Sequence, residues 1–250
     1  MPKKTRPTKP QPYHHGDLRR ALIDTALQLV TEEQDWAFSL REVARRAGVS
    51  HRAPYNHFPE KLDLLAAVAA VGFERLRDGM LREMVGIDDP EALLGAIWRT
   101  YVRLGLENPA LYRLMFGPEL SDAGSHVRPT AAKLAGAQAR GVLEDVILRG
   151  ARSGAFAVSP DSLQDVALAA LAAWSASHGL TMLAIDRIPR PDLSVDDMIE
   201  RLLGIVLAGL RPAQAEPLRH RQPTRSKGES GKLSASPPGR VMRRTKGAVE

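Results

Sequence analysis

The stretch SLREVARRAGVSHRAPYNHF, residues 39–58, decides the fold. It opens on Ser39-Leu40-Arg41-Glu42, the capping-box pattern in which the Ser hydroxyl and the Glu carboxylate each take an orphan backbone N–H at a helix start. Ala44 and Ala47 are small enough for close helix contact. Gly48 suits a left-handed helix stop. Val49 is apolar, and Ser50 is a good cap for a new helix. The pattern predicts two short helices, 39–47 and 51–57, across a turn of about three residues, which is helix-turn-helix spacing. With Ser50 as cap, Pro54 falls in the first turn, where a missing N–H costs least.

Working outward, Leu18, Leu22, Ala26, Leu29 and Val30 recur at three- and four-residue spacing and line one face of a preceding helix. Asp17, after Gly16, is its expected N-cap, and its end is expected near Glu33–Asp35. After the motif, Pro59 stops the helix, and a long helix restarts with Leu62, Leu65, Val68, Val71 and Leu76. Further apolar helical segments are predicted over 90–106, 109–116, 127–152, 161–185 and 194–210. Asn108-Pro109, Gly117-Pro118, Gly154, Ser159-Pro160, Pro189 and Pro191 mark the breaks. No stretch alternates like a strand. The expected fold is all-α with roughly nine helices.

The charge is unevenly placed. The chain of 250 residues carries 35 Lys+Arg against 29 Asp+Glu, a net charge of +6. Residues 1–16 carry +4 and residues 212–250 carry +6, so residues 17–211 are net acidic. Nine of the 18 prolines also fall in these two ends. Such stretches bury too little apolar surface to offset chain entropy, so a basic arm over 1–16 and a basic tail over 212–250 are expected to be disordered. They are either solvated ends or arms that touch a polyanion.

There is no cysteine, which removes disulfides, Cys-ligated zinc and a thiol nucleophile. A reducing, cytoplasmic setting is expected. No apolar run is expected to reach the ~20 residues that span a bilayer, and MPKKTRPTKPQP lacks the apolar stretch of a secretory signal. No G-x-S-x-G, P-loop, G-x-G-x-x-G or HExxH motif occurs, so neither an enzyme nor a cofactor is expected. His14-His15 has no Cys nearby to complete a metal site. Asp88-Asp89 and Asp196-Asp197 read as helix N-terminal charges.

HHGDLRRALIDTALQLV (14–30) with SLREVARRAGVSHRAPYNHFPEKLDLLAAV (39–68) resembles the DNA-binding domain of TetR-family transcriptional regulators. NPALYRLMFGPEL (108–120) and Trp174-Ser175-x-x-His178-Gly179 resemble the subgroup whose effector domain carries a Trp-His-Gly (WHG) signature. The resemblance implies a DNA-binding domain over 17–61, an effector-binding and dimerisation domain over 62–211, double-stranded DNA and a small-molecule effector as partners, and a homodimer, with no membrane. Repressor is the family's commoner mode.

A helix-turn-helix lays its second helix in the major groove. Arg52 is the candidate for bidentate contact with guanine, with a phosphate contact as the equal alternative. His51 donates to a base edge or a phosphate, and Ala53 packs on a thymine methyl. The resemblance implies phosphate contacts for Tyr55 and His57 and a backbone-facing charge at Lys61. Asn56 stands where the family often has an aromatic. Ser39, Leu40 and Arg41 reach phosphate through hydroxyl, backbone or guanidinium, and Ser50 adds a helix start that favours anions. Arg45 and Arg46 read as a solvated face, and Phe58 as core.

In the second half, Phe73, Trp98, Tyr101, Tyr112, Met115, Phe116, Trp174 and Met182 form an apolar and aromatic set. Trp98, Tyr101, Tyr112, Met115, Phe116, Trp174 and His178 are the candidate effector residues. Trp174 and His178, at i and i+4, share one helix face. His178 is either a satisfied core histidine or an effector ligand. Gly179 is expected to let another helix approach. Segments 161–185 and 195–210 are apolar nearly all round and need partners on both faces, which points either to a dimer interface with Leu168 and Leu203 in it or to a single domain that buries one of them centrally. The competing reading is an all-α small-molecule-binding or catalytic protein that retains the hairpin without binding DNA.

Overall fold

The computed structural model describes residues 15–121, 131–188 and 192–213. The proposed arm over 1–16 (His15 and Gly16 apart), the segment 127–130 and the tail from 214 lie outside the described residues. Within them the chain is all-α, as the periodicity predicts. Helix α1 (His15–Glu33), α2 (Leu40–Arg46) and a 3-10 helix (Ala53–Asn56) precede α3 (Lys61–Glu83). Then come α4 (Pro90–Glu107), α5 (Pro109–Phe116), α6 (Pro118–Ser121), α7 (Ala131–Ser153), α8 (Leu163–Ile185) and α9 (Val195–Leu210). Asp17 falls inside α1 rather than at its cap, because the helix starts two residues earlier.

Side chains at the helix starts explain most of these bounds. Ser39 Oγ accepts the Glu42 N–H at 3.2 Å. The Glu42 carboxylate does not complete the box; it turns along the helix to Arg45. The reciprocal bond appears instead at α3, where Asp63 Oδ2 accepts the Glu60 N–H at 2.9 Å. Asp89, Ser162 and Ser194 cap α4, α8 and α9. Asp196 and Asp197 sit in the first turn of α9, at the positive end of its dipole. Gly48 takes φ +70°, the left-handed stop that a side chain would strain.

Helix α3 is the spine. It packs on α1 at its start and on α4, α5 and α7 beyond, and the described residues form one unit around it. Leu22, Ala26, Leu29 and Val30 of α1 are fully buried, as their spacing predicts. Helix α8 corrects one expectation. Its 23 residues, with a mean hydropathy of 1.4 over its most apolar window, are long and apolar enough to cross a membrane by length and composition. Its alanines keep it apolar even where it faces solvent.

The close contact between α4 and α8 is not at Gly179, around which nothing lies within 4 Å. It is at Gly105, where an added Cβ would overlap the Thr181 methyl and meet the Tyr112 ring at 3.0 Å. Gly105→Ala is therefore expected to destabilise the fold by about 1–3 kcal/mol, the usual cost of overpacking. Thermal unfolding followed by circular dichroism measures it. An added Cβ at Gly179, by contrast, meets nothing of this chain within 4 Å.

Candidate DNA interface and ligand cavity

The second motif helix is shorter than its sequence suggests. With Ser50 as cap, Pro54 would occupy the fourth helical position, whose N–H makes the first intrahelical bond. Proline has no such N–H. The chain resolves this by starting later. Ser50 contributes its carbonyl, which accepts the Ala53 N–H at 2.9 Å, and the four-residue 3-10 helix begins at Ala53 with Pro54 in its first turn. Pro54 is buried, and Phe58 beneath it is 1% exposed, a core residue as expected.

This short element presents a polar edge. Ser50, His51, Arg52, Tyr55 and Asn56 are exposed, with Ala53 and His57 half-buried beside them. Ser39 and Arg41, at the start of α2, are exposed as well. Leu40 is 5% exposed, so only its backbone is available to a phosphate. Two groups of arginines separate cleanly. Arg45 is held by Glu42, and Arg46 lies among Glu32, Glu33 and Glu42. Arg41 and Arg52 make no ion pair among the described residues, so their charge is not offset locally. Lys61, at the start of α3, is half-buried. Its ammonium sits 5.3 Å over the Phe38 ring, and partial burial pulls its pKa below the usual lysine value. Arg19 similarly covers Phe58 at 5.1 Å.

A cavity of about 510 Å³ opens farther along α3, walled by α3, α4, α5, α7 and α8. Of the seven candidate effector residues, Trp98, Tyr101, Met115, Phe116 and Trp174 line it. Tyr112 and His178 do not. They stand behind Tyr101 and Trp174 in a hydrogen-bonded cluster. Trp174 Nε1–H donates to Tyr101 Oη at 2.9 Å, as does Tyr112 Oη–H at 2.9 Å. Both tyrosine oxygens lie within reach of His178 Nδ1, at 2.9 Å from Tyr101 and 2.6 Å from Tyr112.

The two tyrosine hydroxyls and His178 Nδ1 form a closed triangle in which His178 accepts or donates according to its tautomer. Burial lowers the His178 pKa and raises those of both tyrosines, so all three rings stay neutral at pH 7. Trp174 and His178, 5.6 Å apart between ring centroids, share a face as their spacing predicts.

Sequence reasoning missed the wall that α7 provides. Lys133, Gly136, Arg140 and Leu143 line the cavity, as do Leu76 and Met80 of α3. Helical spacing marks Leu76, Met80 and Leu143 only as core. Nothing in the residue types of Lys133 and Arg140 separates them from a solvated face.

Residues 22–68 match the family described as bacterial regulatory proteins, tetR family, and residues 94–206 match a tetracyclin repressor-like C-terminal domain. The chain belongs to the TetR family of regulators. It is 32% identical over 85 residues to the HTH-type transcriptional regulator BetI of Rhizobium meliloti (strain 1021), covering 34% of this chain and 42% of that regulator. The match thus spans less than half of that relative's length. Among solved structures, a protein of unknown function from Rhodococcus sp. RHA1 is 30% identical with a TM-score of 0.66, over 81% of this chain and all of that one. A TetR family transcription regulator from Marinobacter aquaeolei VT8 shares the fold at 20% identity and TM-score 0.57, over 77% of this chain and 95% of that one.

Proposed function

We propose that the chain is a ligand-responsive, DNA-binding transcriptional regulator of the cytoplasm, most simply a repressor, that binds a palindromic operator as a homodimer and is released by a small molecule. The observation that carries this reading is one continuous helix. Helix α3 begins at Lys61, next to the exposed edge Ser50–Asn56, and contributes Phe73, Leu76 and Met80 to the cavity. Residues 17–61 serve as the DNA-binding part and 62–211 as the effector and dimer part, with α3 joining them. A ligand that fits only one arrangement of the cavity walls shifts α3, and with it the half-site spacing. It weakens binding only to the extent that it prefers the released arrangement.

On this reading Arg52 and His51 address bases, with Ala53 against a thymine methyl. Ser39, Leu40, Arg41, Ser50, Tyr55, Asn56 and His57 hold the backbone. Lys61 acts more through Phe38 than through DNA. The Trp174–His178 pair and the adjoining Gly179 favour the WHG-type effector domain. The cavity's internally satisfied polar cluster gives Tyr112 and His178 the role of fixing Tyr101 and Trp174, which meet the effector.

The dimer reading rests on α8 and α9. Leu168 and Leu171 on α8 and Ile205 on α9 are exposed. Gly179, Gly204 and Gly209 have nothing of this chain within 4 Å of an added Cβ, so their smallness serves no contact inside it. Leu203 is not an interface position. It is 5% exposed and packs on Gly95 of α4.

Fluorescence anisotropy with the duplex upstream of the chain's own gene tests the reading. Binding is expected to weaken steeply with salt, each neutralised phosphate adding about 0.9 to the log–log slope. A chain of residues 14–211 is expected to show a shallower slope with the same sequence preference, which assigns the basic ends to non-specific affinity. An unchanged slope would make them bystanders. No salt-dependent binding at all would favour the reading without an operator.

A further inference from the structure

Resting on the ligand-responsive reading above, we infer that the effector is an organic acid: an apolar body carrying a carboxylate. The cavity walls are mostly hydrocarbon and aromatic, and among the described residues no Asp or Glu lines them. The charged residues that do line them are Lys133 and Arg140, both exposed and both on α7. They stand seven residues apart, about two helical turns, with Gly136 and Ala137 between them on the same wall. Gly136 gives the Phe73 ring room, at 3.4 Å from an added Cβ, so the surface between the two cations is flat and apolar. An acid laid along it keeps its hydrocarbon inside and its charge beside a guanidinium. Arginine's planar fork suits a carboxylate in particular.

The inner polar groups point the same way. The Tyr101–Tyr112–His178–Trp174 cluster is satisfied within itself and holds no net charge to attract a cation. Among the described residues the lining therefore offers positive charge and no carboxylate, so an amine would find no counter-charge in the wall itself. The existing partner of Arg140 is Glu144, at 3.6 Å, with both side chains about half exposed. Such a pair is weak, and an incoming carboxylate competes with it readily.

The test uses the full chain without DNA and two matched trios, dodecanoate, dodecanol and dodecylamine below their micelle concentrations, and 2-naphthoate, 2-naphthol and 2-naphthylmethylamine. Calorimetric titration at low salt is expected to show the carboxylate of at least one trio binding ten-fold or more tighter than its alcohol and amine. Arg140→Gln is expected to erase most of that preference and Arg140→Glu to turn it toward the amine. Arg140 is exposed, and circular dichroism of both variants checks that the fold is kept. Equal or tighter binding of the alcohol or amine would overturn the inference, as would binding of neither carboxylate, or an unchanged preference in both Arg140 variants. The operator duplex added afterwards separates this from the functional reading. Carboxylates that bind without releasing DNA would leave the acid class standing and refute the ligand response. DNA binding with no carboxylate bound would do the reverse.

Discussion

A chain carrying Leu168→Glu and Ile205→Glu together is expected to run as a monomer at concentrations where the unaltered chain is a dimer. Both side chains are mostly exposed, at 63% and 68%, so a charge there costs the isolated fold little. In a dimer built from α8 and α9 the same charges would be buried without partners, which costs several kcal/mol. Monomers also lose the gain from two linked half-sites, so operator affinity is expected to fall by about 100-fold or more. Light scattering gives the mass and circular dichroism the helicity. Monomers with native helicity are the expected result. A persistent dimer would move the interface off these two helices and break the proposed link between cavity and half-site spacing.

Arg52→Ala is expected to cost about 1–3 kcal/mol per half-site and to relax the preference at one base pair in each. The residue is exposed at the start of the 3-10 helix and makes no ion pair among the described residues, so its removal should leave the fold untouched. Arg45→Ala, which only releases Glu42, is expected to change affinity far less. Binding to a library of single-base operator variants separates the two roles of Arg52. A loss spread evenly over all sequences would make it a phosphate contact.

Much of this organisation was legible before any coordinates. Local signals carried well: the Ser39 cap, the stop at Gly48, the buried face of α1 and the breaks at Asn108-Pro109 and Gly117-Pro118 all lie within one or two turns of the residues that cause them. Three features were not legible, each for a physical reason. Pro54 looked harmless in a first turn, but one N–H later in the register it would have cost the helix its first bond, so the helix start moved to Ala53. Gly179 and Gly105 both sit on apolar helices, and only the placement of Thr181 and Tyr112 shows which one is crowded. Leu203 and Ile205 are two apolar residues two positions apart on one helix, and which faces inward depends on where α4 lies.

The cavity shows the same limit. The aromatic set Trp98, Tyr101, Phe116 and Trp174 announced itself by residue type. Lys133 and Arg140 did not, because a charged residue on an amphipathic helix reads as solvated until a neighbouring wall is known. The positive charge that points to an acid as effector lies on that wall.

DNase protection of the DNA upstream of the gene, with the full chain, tests the central claim most directly. The account predicts two protected half-sites related by two-fold symmetry, their centres about 34–36 Å or a multiple of it apart. Protection is expected to fade when the effector is added. No protected sequence at any protein concentration, or a protected site with no symmetry that an effector leaves unchanged, would contradict it.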